Sequence, residues 1–202
     1  MKILIHTCCA DCLLKMIDSL KDESAELVGY FYNPNIHPRS EYLARLKAAQ
    51  NICEENKIKL IVADWSPKEW FNQIPSGCAA SPFDERETLE QNPSVLRTAP
   101  LDKREALKIK TRCERCWKLR LGKTFEYAKK NNFETVSTTL LTSHYQNKDQ
   151  IEKIGKELEK EFEIKFLVPK KVSGELKTSG FYKQNYCGCC YSLVETWSEK
   201  FC

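Results

Sequence analysis

The 202-residue sequence lacks the usual signatures of nucleotide cofactors and of membrane insertion. It contains no GxGxxG and no GxxxxGK[ST], so neither a dinucleotide-binding fingerprint nor a phosphate-binding P-loop has support. The CxxxCxxC of radical S-adenosylmethionine enzymes is also missing. No apolar run approaches the roughly 20 residues of a membrane-spanning helix, and the run after Met1 is too short for a secretory signal. We therefore expect a cytoplasmic protein without a membrane partner.

Cysteine is the residue that the sequence has in excess. Eleven cysteines in a chain expected in a reducing compartment indicate metal binding or catalysis rather than disulfides. The number is odd, so complete pairing within the chain is impossible, and adjacent cysteines would form strained bridges. Seven of the cysteines fall into three groups, which are Cys8-Cys9-Cys12, Cys113-Cys116 and Cys187-Cys189.

Hydrophobic patterning predicts one α/β domain. A content of 42% hydrophobic residues is enough for one sizeable core in a chain of this length. Short apolar runs at residues 2–6, 26–32 and 59–63 alternate with amphipathic helices at 10–20 and 40–55. This order predicts an open parallel sheet with helices on both faces.

The second half of the chain continues the pattern. Further strands are predicted at 134–140 and 165–168, and helices at 112–130 and 149–161, with the second cysteine group opening the first of these helices. Prolines punctuate a polar stretch within residues 75–103. We interpret that stretch as a surface insertion or lid of a single catalytic domain, residues 1–202.

The first cysteine group lies where the first strand gives way to a helix. In an open α/β sheet the carboxyl ends of the strands form the ligand crevice, and free N–H groups and the helix dipole favour thiolates and anionic clusters there. Asp11 lies in this turn and is a candidate ligand for a harder metal; alternatively it stabilises the first helical turn. His6 adjoins the turn and is a candidate catalytic group, although a lone histidine is more often structural.

The other two groups leave several chemistries open. Cys113 and Cys116 form a CxxC, which redox dithiols, zinc sites and iron–sulfur proteins all use. Gly188, between Cys187 and Cys189, permits a turn in which two sulfur atoms converge. A cubane cluster needs four ligands, so seven thiols indicate a second metal or a redox pair beside it. Structural zinc stays open, but ligands spread over the whole domain are typical of an active site.

Positive charge is concentrated in residues 97–123. Ten basic and three acidic side chains give that window a net charge of +7, whereas the whole chain carries +4. A charge run is usually a solvated helix face. Because the window contains the CxxC, it is also a candidate surface for a polyanion such as a nucleic acid.

Several segments together resemble the cobalamin-independent epoxyqueuosine reductase family, QueH. In chain order they are LIHTCCADC (4–12), FYNPNIHP (31–38), EY (41–42), RCERCWKLRL (112–121), TTLL (138–141) and YCGC (186–189). The resemblance implies an adenine-nucleotide α-hydrolase-like (HUP, Rossmann-like) fold. It also implies reduction of the epoxide of epoxyqueuosine in tRNA to give queuosine, a [4Fe–4S] cluster and an adjacent mononuclear metal, expected to be iron.

Individual residues receive predicted roles from these two lines of reasoning. The predicted cofactor-binding residues are Cys8, Cys9, Cys113 and Cys116. The predicted metal ligands are those four together with Cys12, Cys187, Cys189 and Asp11, without a division of the thiols between the cluster and the second metal. Asp11 and His6 are the predicted catalytic residues, as proton donors, with a spare thiol as the alternative. Electrons are expected from an external low-potential donor of the ferredoxin or flavodoxin type, because no flavin or nicotinamide site is apparent.

Three other interpretations stay open. Another tRNA-modifying enzyme of the same fold, such as a thiolation enzyme, would want an ATP loop, which is missing. A zinc-binding nucleic-acid module without catalysis predicts colourless protein that contains zinc. A thiol–disulfide oxidoreductase would need only Cys113 and Cys116, and no metal.

Overall fold

A computed structural model describes residues 1–21, 24–74, 101–169 and 182–201, with 101–111 and 197–201 described as backbone only. Residues 75–100 of the predicted insertion lie outside the described residues. Among the helices that are described, none is long and apolar enough to cross a bilayer.

A five-stranded parallel sheet forms the centre of the protein. In chain order its strands are β1 (Lys2–His6), β2 (Glu26–Phe31), β3 (Lys59–Val62), β4 (Thr135–Thr138) and β5 (Lys165–Phe166). Their spatial order is β3-β2-β1-β4-β5, and every neighbouring pair is parallel. The strand order changes direction between β1 and β4, so a ligand crevice is expected at the carboxyl ends of these two strands.

Helices cover both faces of the sheet. They are α1 (Ala10–Ser19), α2 (Arg39–Glu55), α3 (Pro67–Gln73), α4 (Leu101–Lys130), α5 (Lys148–Phe162) and α6 (Cys190–Phe201), with a 3-10 helix at Thr139–Thr142. Successive residues of β1 point to opposite faces. Leu4 belongs to a core cluster with Phe125 of α4, whereas Ile5 belongs to a second cluster with Leu13 of α1 and Ile52 of α2. The predicted open parallel α/β sheet is confirmed.

The long helix differs from the prediction. α4 begins at Leu101 and not at 112, so Cys113 and Cys116 lie in its middle rather than at its start, and residues 101–103 of the predicted insertion are helical. The first eleven residues of α4 are rich in Lys, Arg, Leu and Glu, which have high helix propensity. A cysteine in the middle of a helix lacks free backbone N–H groups around it, because the helix uses them internally.

Two helical glycines meet opposite surroundings, which predicts opposite effects of an added methyl group. A Cβ on Gly155 of α5 would lie 2.2 Å from Cε1 of Phe166, whereas a Cβ on Gly122 of α4 would meet no described atom within 4 Å. We expect Gly155→Ala to lower the free energy of unfolding by about 1–3 kcal/mol through overpacking. Gly122→Ala should raise it by about 0.5–1 kcal/mol through helix propensity. Urea unfolding followed by circular dichroism measures both, and effects of equal sign would contradict this packing.

Candidate metal centre

The first cysteine group converges in the turn between β1 and α1. The sulfur atoms of Cys8, Cys9 and Cys12 all lie within 4.8 Å of one another, and all three residues are buried. Among the residues that the structure describes, this is the one group of three or more candidate ligands that is so close. The turn is closed by the first helical hydrogen bond of α1, in which the N–H of Leu13 donates to the carbonyl of Cys9 at 3.1 Å.

Cys8 is tied to the segment that follows β4. Its N–H donates to Oγ1 of Thr139 at 3.1 Å, and its Sγ lies 3.3 Å from the same oxygen. Hydrogen bonds from Cys12 and Cys9 hold the pKa of Cys8 well below its usual range. Hydrogen bonds with Cys12 and Cys8 raise the pKa of Cys9, and the bond with Cys8 raises that of Cys12 to about 12. The group thus stabilises one thiolate with two thiols, and a soft metal ion can replace their protons.

The second and third cysteine groups are neighbours of each other. Burial, followed by the charges of Cys187 and Cys116, raises the pKa of Cys113 to about 12. Sγ of Cys187 lies 3.5 Å from Sγ of Cys189. That bond is the main reason that the pKa of Cys187 falls to about 6. The fold therefore brings the CxxC of α4 beside the CxC near the C-terminus.

Nitrogen donors point at two of these sulfur atoms. The indole Nε1 of Trp70 donates to Sγ of Cys116 at 3.3 Å, and the backbone N–H of Ser192 donates to Sγ of Cys189 at 3.3 Å. Such bonds favour thiolate over thiol. Trp70 was missed by the sequence reasoning, because it lies 46 residues from Cys116 in the chain.

The loop that carries Cys187 and Cys189 is fastened to α2. Arg45 is only 2% exposed; its Nε pairs with Oε1 of Glu41 at 2.6 Å, and its Nη1 donates to the carbonyl of Cys187 at 3.1 Å. Gly188 has a φ of +113°, and a Cβ there would lie 3.0 Å from Nη1 of Arg45. Glycine is therefore required at this position, as its use in the turn predicted.

The two predicted catalytic residues lie beside the first group, each with partners of its own. Nζ of Lys15 donates to Oδ2 of Asp11 at 2.7 Å, a contact between residues four apart on α1. The ring of His6 is fully buried, with Nδ1 2.9 Å from Oγ1 of Thr138 and Nε2 3.2 Å from the carbonyl oxygen of Tyr32. A carbonyl only accepts, so Nε2 carries the proton.

His6 is electrically neutral in this setting. Burial lowers its pKa to about 3, and the charge of Arg120 acts in the same direction. Both ring nitrogens are engaged in hydrogen bonds, so the ring joins the ends of β1, β2 and β4. The geometry favours a structural role for His6, and its role as a proton donor stays a prediction.

The basic side chains of residues 97–123 divide into a set that points inward and a set that points outward. Arg120 is buried, and Arg112 pairs with Glu195 and lies over the ring of Tyr191. Neither belongs to an exposed cationic surface, and the basic side chains before Arg112 lie outside those described. The outward set borders an open cleft of about 600 Å³ between α3 and α4, here called the α3–α4 cleft. Its lining residues are Asn72, Gln73, Arg115, Lys118, Leu119, Gly122, Lys123 and Glu126.

Comparison with known proteins agrees with this arrangement. The model of the family described as "Epoxyqueuosine reductase QueH" matches residues 3–89 and 95–195, which include all three cysteine groups. The "Epoxyqueuosine reductase QueH" of Thermotoga maritima is 33% identical over 96% of this chain and 91% of that protein. The protein of the same name from Histophilus somni is 29% identical over 98% of this chain and 75% of its own length. That from Dehalococcoides mccartyi is 28% identical over 98% of this chain and 96% of its own length. The chain therefore belongs to the epoxyqueuosine reductase QueH family of oxidoreductases, as its sequence predicted.

Proposed function

We propose that this chain reduces the epoxide of epoxyqueuosine in tRNA to give queuosine, using a [4Fe–4S] cluster and an adjacent metal held by the three cysteine groups. The observation that carries the proposal is the convergence of Cys8, Cys9 and Cys12 at the carboxyl end of β1, in a chain that belongs to a family named for this reaction.

The residues fit a thiolate-held centre. Cubane clusters take thiolate ligands, and the described part of the site offers buried sulfur atoms beside hydrogen-bond donors. We propose Cys8, Cys9, Cys113 and Cys116 as cofactor-binding residues. Cys12, Cys187, Cys189 and Asp11 complete the set of metal ligands, with iron as the expected second metal. Asp11 would exchange its contact with Lys15 for the metal.

The reaction consumes two electrons and two protons and releases the epoxide oxygen as water. When bound, the metal centre would supply electrons one at a time and a Lewis acid for the epoxide oxygen. The chain's own residues hold the protons. Asp11 and His6 are the proposed donors, with a spare thiol as the alternative. Both ring nitrogens of His6 are bonded and Oδ2 of Asp11 accepts from Lys15, so either group would exchange a present partner in order to deliver a proton.

The tRNA is proposed to lie along the α3–α4 cleft. Arg115 directly precedes Cys116 on α4 and lines this cleft together with Lys118 and Lys123, so phosphates bound there would lie beside the metal centre. Phosphate contacts position a nucleic acid without reading its sequence. An unstacked base of the anticodon loop can then be splayed into the crevice. An external ferredoxin- or flavodoxin-like donor and a cytoplasmic location complete the proposal.

Metal analysis and product analysis together test the proposal. Protein purified without oxygen should contain about four irons and four sulfides, with a brown absorption that bleaches on reduction, and a fifth metal would support the second site. Incubation with dithionite and tRNA that carries epoxyqueuosine should yield queuosine in digested nucleosides. Colourless protein that contains only zinc would contradict the reductase and support the zinc-binding nucleic-acid module.

A further inference from the structure

Arg120 is a buried cation without a carboxylate partner in the described part of the chain. Its side chain is only 2% exposed. Nη2 donates to Oδ1 of Asn33 at 2.8 Å, whereas Nε has no hydrogen-bond partner among the described residues. A buried guanidinium is costly unless an opposite charge compensates it. The described contacts of Arg120 are the amide oxygen of Asn33 and the thiol of Cys116, and they include no carboxylate, so its counter-charge must come from groups that become anionic in the site.

Arg45 shows how the same fold treats another arginine of equal burial. Its side chain is also 2% exposed, but its Nε lies 2.6 Å from Oε1 of Glu41, and its other nitrogens donate to the carbonyls of Cys187 and Tyr186. The contrast shows that burial alone does not explain the missing counter-charge at Arg120.

The groups around Arg120 that can become negative are thiols. Arg120 lies one helical turn after Cys116 on α4, and Asn33, which accepts its hydrogen bond, donates at 2.8 Å to the carbonyl of Thr7, the residue before Cys8. Hydrogen bonds from Cys12 and Cys9 lower the pKa of Cys8, and the charge of Arg120 adds to them. Burial raises the pKa of Cys116, and Arg120 opposes that shift. The pKa of Cys187 falls mainly through its bond with Cys189, and Arg120 acts in the same direction. The guanidinium thus acts on the first group and on the other two together.

We propose that Arg120 is the built-in counter-charge of the thiolate-held metal centre, a positioning residue that stabilises the loaded protein and eases its reduction. The inference rests on the proposed function, since it needs an anionic centre between the cysteine groups. A cubane cluster with four thiolates is anionic, and reduction adds negative charge to it. A fixed cation in a low-dielectric interior stabilises both the bound and the reduced forms.

Three variants separate the charge of Arg120 from its bulk. Arg120→Met removes the charge and keeps an apolar side chain of similar length. Arg120→Lys keeps the charge and serves as the matched control. Asn33→Asp keeps the arginine but gives it a carboxylate at the position of the present hydrogen bond. The first and third variants remove the unbalanced charge by different routes, so an effect common to both reports on charge.

Two measurements on full-length protein carry the test. The first is the rise in melting temperature that the cluster confers, taken between metal-free and loaded samples of each variant. Comparing the metal-free and loaded samples of one variant cancels effects that are the same in both, such as the loss of the hydrogen bond to Asn33. We expect this rise to be smaller by about 5 °C in Arg120→Met and Asn33→Asp than in wild type. The second is a redox titration followed by absorbance. The reduction potential should become more negative in those two variants and stay near the wild-type value in Arg120→Lys.

The outcomes distinguish this inference from the function on which it rests. If wild type binds the cluster, but Arg120→Met changes both melting temperatures equally and leaves the potential unchanged, Arg120 is an ordinary packing residue and the inference is overturned alone. If wild type takes up no iron and sulfide, the proposed function and the inference are overturned together. If the reduction potential shifts as far in Arg120→Lys as in Arg120→Met, the inference about Arg120 is also overturned, because the effect then does not depend on the positive charge.

Discussion

Cys8→Ala and Cys113→Ala are each expected to lose the metal centre and the reductase activity together. Hydrogen bonds from Cys12 and Cys9 lower the pKa of Cys8, and its Sγ lies 3.3 Å from Oγ1 of Thr139. Cys113 lies beside the CxC segment, where burial, and after it the charges of Cys187 and Cys116, raise its pKa to about 12. Each change removes one proposed thiolate ligand, and in the first group the close donor atoms are sulfur atoms alone. Acid-labile sulfide, which reports on the cluster alone, should fall from about four per chain to below about one.

Cys53→Ala is the matched control for these two variants. Cys53 is buried, as Cys8 is, but it lies in the core cluster on the other face of the sheet, with Ile5, Leu13 and Ile52. Burial raises the pKa of its thiol to about 11, as expected for a packing residue. The variant should keep its iron and activity while losing about 1 kcal/mol of stability through a small cavity.

Iron, sulfide and queuosine formation are measured on the same anaerobic preparations of all three variants. Full activity in both Cys8→Ala and Cys113→Ala would remove the cysteine groups from the mechanism. Iron lost equally from Cys53→Ala would show that any core cysteine change unfolds the site, and the assignment would then lack support.

The sheet could be predicted from the sequence because its signal is local. β1 was predicted at its observed bounds, and β2 and β3 within one residue, since each is a short apolar run between turn residues. The first cysteine group was equally accessible, because three thiols within five residues at a strand end must lie close together. The pair of Asp11 with Lys15 is also local, at a spacing of four on a helix, and could have been read from the sequence.

What the sequence could not show is contact between distant segments. Trp70 meets Cys116 across 46 positions and Arg120 meets Asn33 across 87, and neither pair follows from a periodic pattern. The spacing of Arg120, four residues after Cys116, was a usable signal that it lies on the site's side of α4. Charge counting instead placed it on an exposed surface, because net charge does not tell which side chains turn inward.

The double variant Arg115→Glu/Lys118→Glu is expected to weaken tRNA binding by at least tenfold, because it removes about two phosphate contacts and adds repulsion. Both residues line the α3–α4 cleft. The ion pair of Lys118 with Glu114, 3.5 Å long, is half-exposed, so salt and water screen it and a phosphate can compete for the lysine. The slope of log Kd against log salt concentration should also fall by about two. Fluorescence anisotropy with labelled tRNA at several KCl concentrations measures both quantities.

The matched control is Lys153→Glu/Lys160→Glu, which makes the same change in net charge on exposed positions of α5. If the cleft holds the phosphates, the control should shift affinity far less than the cleft variant, and its salt slope should match wild type. Equal losses in both would mean that tRNA responds to the overall charge of the protein and not to this cleft. Because Arg115 adjoins Cys116, iron content is measured beside affinity. A cleft variant that keeps its iron, loses tRNA affinity and regains turnover at high tRNA concentration would place the defect in binding rather than in the metal centre.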